Sequence, residues 1–356
     1  MKLSRQDEDA VRRALRGWFR RNARALPWRK SADPYAVWVS EVMLQQTQVG
    51  TVMPYYQRFL EAFPTVADLA RAPLERVLEF WSGLGYYRRA RHLHQAAKEL
   101  VRRFGGGFPR DYEQLRSLPG IGDYTARAIL SIAFDLPYTL WDGNVARVLS
   151  RLMALQGNLH QLGFRRAVEA QLGGLLSPRR PGHFNQALME LGQTLCLPRV
   201  PRCAACPVQH WCWGYKSGQP QLFPQPRPRR AVESRYLAAA ILRQGRRVVM
   251  VRGLGEGLLD GLWNFPAAFG RSRAEALTNL RQKLAGFGIP SLALHHSIAE
   301  LRHGITYRSI RVHAYPAEIS NSFRKKGLRW FSVSTLQRAA ISQLARKIAR
   351  QVFSRR

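Results

Sequence analysis

Leu118-Pro119-Gly120-Ile121-Gly122-Asp123-Tyr124-Thr125-Ala126, continued by Leu140-Trp141-Asp142-Gly143-Asn144-Val145, is the stretch that decides the fold. Its first half reads as a tight hairpin between two helices. Pro119 stops the incoming helix, and Gly120 and Gly122 permit backbone angles that other residues resist. The next helix carries Ala126, Ile129, Leu130 and Ala133, an i, i+3, i+4, i+7 apolar stripe. The amides at its positive end suit a phosphate, and glycine lets a backbone come close. Asp142 opens another helix, whose buried stripe is Val145, Val148, Leu149 and Leu152. A phosphate-gripping device thus stands beside one carboxylate. Alone, each half has an ordinary structural reading, an αα-turn or a helix N-cap. The motifs elsewhere in the chain favour function.

The chain has 356 residues, enough for two or three domains, and 46% are hydrophobic, which implies folded globular structure. Lys and Arg number 56 against 23 Asp and Glu, a formal net charge of +33. That excess predicts a polyanionic partner, nucleic acid above all, with binding that weakens steeply as salt rises. A membrane surface is the other candidate; no apolar run approaches the ~20 residues of a spanning helix, and nucleic acid rather than membrane is the expected partner. The start, Met1-Lys2-Leu3-Ser4-Arg5-Gln6-Asp7-Glu8-Asp9, is polar with three acids and does not read as a signal peptide. A cytoplasmic, nucleoid-associated monomer is the expectation for a prokaryotic source.

Residues 1–30 read as a basic amphipathic helix ending near Pro27, followed by Trp28 and Arg29. A second helix begins after Asp33-Pro34 and runs through Thr47. Glu41 lies in its apolar interior, between Val39 and Val42. Burial raises a carboxyl pKa and lets it hold a proton near neutral pH; the alternative is an ion pair with one of the many arginines. Residues 51–117 read as helices separated by Pro54, Pro64, Pro73 and Gly105-Gly106-Gly107. Among them Trp81-Ser82-Gly83-Leu84-Gly85-Tyr86-Tyr87-Arg88-Arg89 puts aromatics on a glycine turn with cations behind, which fits insertion between bases plus phosphate contact. A tyrosine pair closing a core is the plainer reading.

The four cysteines fall in one short loop, Cys196-x6-Cys203-x2-Cys206-x5-Cys212. That clustering suits a single metal site in a reducing compartment, and the spacing leaves zinc and a [4Fe–4S] cluster both open. Residues 218–230 hold four prolines and read as a semi-rigid linker. Beyond it the period changes. Strands are expected at Tyr236–Leu242 and Arg247–Val251 around a Gln244-Gly245-Arg246 turn, a helix at Ala274–Ala285, and strands near 293–302 and 306–316.

These motifs together resemble the helix-hairpin-helix DNA glycosylase superfamily, and within it the MutY-type adenine DNA glycosylase family. The resemblance covers nearly the whole chain and rests on Ser40-Glu41-Val42-Met43-Leu44-Gln45-Gln46-Thr47, Gly83-Leu84-Gly85-Tyr86-Tyr87, the hairpin, Asp142-Gly143-Asn144 and the cysteine loop. It implies a mainly α, two-lobed glycosylase domain over 1–217 with an iron–sulfur loop at 196–212. It further implies a smaller α+β Nudix-like domain over 231–356. By this resemblance the cysteines hold a [4Fe–4S] cluster, and the partner is duplex DNA with adenine opposite 8-oxoguanine or guanine. Glu41 matches the general acid, Asp142 the carboxylate that stabilises the sugar cation, and Asn144 its support. Tyr124 stands where bifunctional relatives carry a lysine nucleophile. Trp28, Arg29 and Gln186 match the adenine pocket. Gln46 and Tyr86 match residues that enter the helix around the lesion, with Gly120 and Gly122 on the DNA backbone.

The chemistry accounts for this division of labour. Adenine leaves poorly as an anion, so a proton must arrive as the glycosidic bond breaks. The sugar becomes a cation, which a fixed anion stabilises. Two carboxylates in different settings can do these two jobs, once the adenine has left the base stack. Two departures matter. Residues 270–288 lack the Glu-rich box of a working Nudix hydrolase, so the domain reads as a recognition module. Ile305-Thr306-Tyr307 replaces the family's Phe-Ser-His signature, leaving Tyr307 as the candidate lesion contact. The main alternative, an endonuclease III-like glycosylase/lyase, needs an amine nucleophile at the position of Tyr124.

Overall fold

Leu118–Gly122 turns between α7 (Tyr112–Arg116) and α8 (Asp123–Ala128), and in the computed structural model the two glycines do different things. Gly120 has φ +76, and a Cβ there would lie 2.5 Å from the Cβ of His92, so only glycine fits. Gly122 has an ordinary φ of −84, and a Cβ on it would meet nothing within 4 Å. The expectation that both need special angles is therefore corrected: Gly122 leaves space outside the chain. The structure describes residues 3–177, 179–225, 231–254, 262–289, 294, 296–305, 307–319, 327–336 and 339–353.

Contacts divide the chain into two units, Met1–Ala72 with Arg91–Pro228, and Pro73–Ala90 with Arg229–Arg356. Residues 73–90, read from sequence as part of the helical domain, group with the C-terminal half. The first unit contains α1 (Arg5–Asn22), α2 (Pro34–Leu44), α3 (Val49–Ala62) and α4 (Val66–Arg71). The second unit takes α5 (Leu74–Trp81) and the start of α6 (Arg88–Phe104). The first unit resumes along α6 and continues through α7, α8, α9 (Gly143–Leu152), α10 (Leu162–Leu175), α11 (Pro181–Thr194) and α12 (Trp213–Lys216).

Three helix boundaries differ from expectation. α1 ends at Asn22, before Pro27, and Pro27–Arg29 forms a separate 3-10 turn. Pro54 lies inside α3 instead of separating helices. α2 stops at Leu44, not Thr47, because Gln46 takes a left-handed φ of +56. A π-turn at Ile129–Ala133 continues α8, a type of bulge frequent at functional sites. The core of the first unit is built from α1, α9, α10 and α11, with Leu15, Val145, Leu149, Val168, Leu172 and Leu188 fully buried. The front of the proline-rich segment belongs to this unit too: Phe223 is buried, its carbonyl accepts from Arg151 Nε at 3.0 Å, and Gln225 N–H donates to Gly157.

In the second unit β1 (Glu233–Gln244), β2 (Arg247–Arg252), β3 (Trp263–Asn264), β4 (Ala267–Gly270), β5 (Ala299–Ile305), β6 (Arg308–Glu318) and β7 (Leu328–Ser332) form one mixed sheet. Its order is β3-β2-β1-β6-β5, with β4 also on β1 and β7 on β2; β1 and β6 run parallel and the other pairs antiparallel. β1 explains its own apolar run. Leu237, Ala239 and Ile241 face α14 (Gln343–Phe353), while Ala238, Ala240 and Leu242 face α13 (Arg273–Gly286), so both sides are covered. The domain is α+β as read, with β3, β4, β7 and α14 in addition. Residues 226–230, 293 and 295, and Thr306, about which the sequence raised expectations, lie outside the described residues.

Candidate active site

A large pocket in the first unit is lined by the end of α2, the hairpin, the start of α9 and one face of α11. Glu41, Tyr124, Asp142, Asn144, Trp28, Arg29, Gln186, Gln46, Gly120 and Gly122 all line it, so ten residues singled out from sequence meet in one place. Tyr86 and Tyr307 belong to the second unit and do not line this pocket.

Glu41 is buried on α2 because residues 35–43 are buried as an unbroken run. Its carboxyl pKa is pushed up to about 7, first by burial, and also by the nearby Asp142 carboxylate. A hydrogen bond with Tyr124 and the charge of Arg29 oppose this. Among the described residues no arginine forms a direct ion pair with Glu41, and Arg29 is held elsewhere. Its Nη2 donates to Glu190 at 2.8 Å, and Arg24 Nε donates to the same carboxylate at 2.6 Å. Glu190 has no exposed side-chain surface. Burial alone would raise its pKa, but the hydrogen bonds from Arg24 and Arg29 outweigh that and hold it below the usual range. Tyr124 is half-buried, and desolvation and the nearby carboxylates drive its phenol pKa well up, so it stays protonated; its O–H also reaches Met189 Sδ at 3.3 Å.

Asp142 is both N-cap and pocket carboxylate. Its Oδ1 accepts the backbone N–H groups of Asn144 and Val145, each at 2.8 Å, which anchors it to the positive end of α9. Its Oδ2 accepts from Asn144 Nδ2 at 2.8 Å. Asn144 is held in turn by Arg147, whose Nη2 donates to its Oδ1 at 2.9 Å and to the Gly192 carbonyl at 2.7 Å. Gly192 is required here, because a Cβ on it would stand 2.7 Å from the Cβ of Asn144.

Trp28 is buried edge-on to Tyr56 at 5.3 Å. Gln46 is exposed, and its left-handed turn is fastened by Gln45 Nε2 to Thr125 Oγ1 at 3.3 Å. Two residues that fix pocket side chains escaped the sequence reading: Glu190, buried behind Arg29, and Arg147, which itself lines the pocket. Glu190 had a signal: it lies one helical turn beyond Gln186, hence on the same face. Arg147 looked like one basic surface residue among many.

The four cysteines are free thiols lining a second, smaller pocket between α9 and the 196–212 loop. Arg151, on α9, donates to the carbonyls of Leu197 and Pro198 at 2.7 Å each and approaches Cys196 Sγ at 3.4 Å. Among the described residues no three Cys, His, Asp or Glu side chains close on a position for a single metal ion. No helix of the described residues is long and apolar enough to cross a membrane.

Residues 39–170 match the family model described as HhH-GPD superfamily base excision DNA repair protein. The adenine DNA glycosylase of Rattus norvegicus is 35% identical, over 97% of this chain and 78% of that protein. That of Homo sapiens is 35% identical, over 96% and 73%. Among solved structures, a thermostable thymine-DNA glycosylase superposes with a TM-score of 0.54 at 24% identity, covering 60% of this chain and 98% of that one, which speaks to the fold of the helical part.

Proposed function

The chain belongs to the adenine DNA glycosylase family within the HhH-GPD superfamily of base-excision repair proteins, and we propose that it hydrolyses the N-glycosidic bond of adenine opposite 8-oxoguanine or guanine in duplex DNA. The observation that carries the mechanism is the pair of unlike carboxylates in one pocket. Glu41, buried and pushed up to about 7, keeps a proton available at neutral pH and delivers it to the departing adenine ring. Asp142, tied by three hydrogen bonds, cannot swing away and presents fixed negative charge to the sugar cation. Trp28, Arg29 and Gln186 receive the extruded base, with Glu190 fixing the direction of Arg29.

The reaction is monofunctional in this reading. A lyase needs an amine, and no lysine is among the described residues lining the pocket. Tyr124 instead hydrogen-bonds the acid. The four thiols suit a [4Fe–4S] cluster. One tetrahedral zinc at ~2.3 Å would draw the sulfurs together around a single ion, whereas a cluster spreads its thiolates over several irons. When bound, the cluster would brace the 196–212 loop, whose Arg199, Arg202 and Lys216 neighbourhood suits phosphate. Tyr86, Gln46 and Tyr307 are the proposed contacts around the lesion. The decisive test is a single-turnover assay on duplexes carrying adenine opposite 8-oxoguanine, guanine or thymine. Release from the first two with little from the third supports this reading, and equal release from all three overturns it.

A further inference from the structure

Ser82 ends α5 and immediately precedes the Gly83–Tyr87 turn, and it is buried. Both of its capacities are taken by the C-terminal segment. Its hydroxyl donates to the Ile341 carbonyl at 3.3 Å, and its oxygen accepts from Arg346 Nη2 at 2.7 Å and Nε at 3.2 Å. Arg346 also donates to the Ala339 carbonyl at 2.9 Å. A hydroxyl offers one donor and two lone pairs, so Ser82 is saturated by these contacts. The residues that grip it are themselves fixed to the sheet, since Ser342 N–H donates to Trp263 and Trp263 N–H to Ala340. At the other end of α5, Glu75 pairs with Arg252 at 2.9 Å and lies 3.8 Å from Arg329. The second unit therefore holds α5 at both ends.

The turn beyond Ser82 presents a strained aromatic. Gly83 and Gly85 have φ of +115 and +74, and Tyr86, not a glycine, has φ +48 while 48% of its surface is exposed. Such a conformation persists only where its surroundings over-determine it. Trp81 Nε1 donates to the Gly85 carbonyl at 3.1 Å, Gly83 N–H to Tyr87 Oη at 3.1 Å, and Arg89 N–H to the Tyr86 carbonyl at 2.8 Å. The turn is thus internally stiff and takes its direction from its base at Ser82.

We propose that Arg346 is a positioning residue for the Tyr86 wedge: the Arg346–Ser82 contact aims the strained turn, and the C-terminal domain thereby acts on base extrusion through the wedge. This rests on reading Tyr86 as a residue that enters the helix around the lesion opposite the adenine.

The test uses the full chain and a duplex with the fluorescent adenine analogue 2-aminopurine opposite 8-oxoguanine. Fluorescence reports extrusion, single-turnover rates report base release, and affinity for undamaged duplex serves as a control. Arg346→Met and Ser82→Ala should each slow extrusion roughly fivefold to tenfold, the scale of one lost hydrogen bond, with undamaged-duplex affinity within about twofold. Arg346→Lys should recover part of the loss. Adding Arg346→Met to Tyr86→Ala should cause little further loss, since both act through one group. If Tyr86→Ala slows extrusion and the Arg346 and Ser82 variants do not, or if the effects add fully, the inference is overturned while the wedge reading stands. If Tyr86→Ala itself has no effect, the wedge reading falls and takes the inference with it.

Discussion

Asn144 Nδ2 donates to Asp142 Oδ2 at 2.8 Å, while the Asn144 backbone N–H donates to Oδ1 of the same carboxylate at 2.8 Å. One residue thus holds both oxygens of Asp142, and the carboxylate can serve as helix cap and pocket anion together. An anion held by fixed donors need not reorganise as the sugar cation develops, and that is where electrostatic catalysis gains most.

Asp142→Asn should lower single-turnover base release by about 10²–10³-fold or more, and Glu41→Gln by about 10²–10⁴-fold, both with mispair binding largely intact. Gel-shift affinities beside single-turnover rates check this. Near-normal release by either variant would make that residue structural.

The rate should also fall as pH rises through about 7, because Glu41 loses its proton there. Stability follows the same group. The folded carboxyl keeps its proton up to about 7 from an ordinary 4.5, so the folded state binds more protons and loses stability as pH rises between those values. Glu41→Gln removes this penalty and should raise stability at pH 8 by about 3 kcal/mol, with no gain at pH 4. A variant that is no more stable than the parent at pH 8 would mean that Glu41 titrates as an ordinary acid.

Gly192→Ala should cut base release about tenfold or more while leaving undamaged-duplex binding near normal. The added methyl would press on the Cβ of Asn144 and move the donor from Asp142. Equal rates for parent and variant would show that Asn144 has room to adjust.

Protein purified anaerobically should contain about four irons per chain, lost on substituting any of Cys196, Cys203, Cys206 or Cys212. Stoichiometric zinc without iron would reject the cluster.

Borohydride added during turnover should trap no protein–DNA adduct, because Tyr124, not an amine, sits beside Glu41. Efficient trapping at a lysine would favour the lyase reading.

Local order determined much of this protein from the sequence alone. The hairpin, the apolar stripe of α9, the apolar surroundings of Glu41, the cap at Asp142 and the change from helical to alternating period at the second domain are all written in short-range spacing. Such spacing dictates which side of an element is buried, and so which polar residue is anomalous. The tertiary structure decided what depends on residues far apart in the chain. It paired Arg29 with Glu190 instead of Glu41, so the charge of Arg29 only partly offsets the burial that lets the acid hold its proton. It ended α2 at Leu44 through the left-handed Gln46, and it restricted the need for special backbone angles in the hairpin to Gly120. It also joined residues 73–90 to the C-terminal unit through Ser82 and Arg346, 264 positions apart. A pattern of three or four residues cannot encode such choices. Which arginine meets which acid, and which turn carries strain, is settled only when distant elements close on one another and every buried donor must find its acceptor.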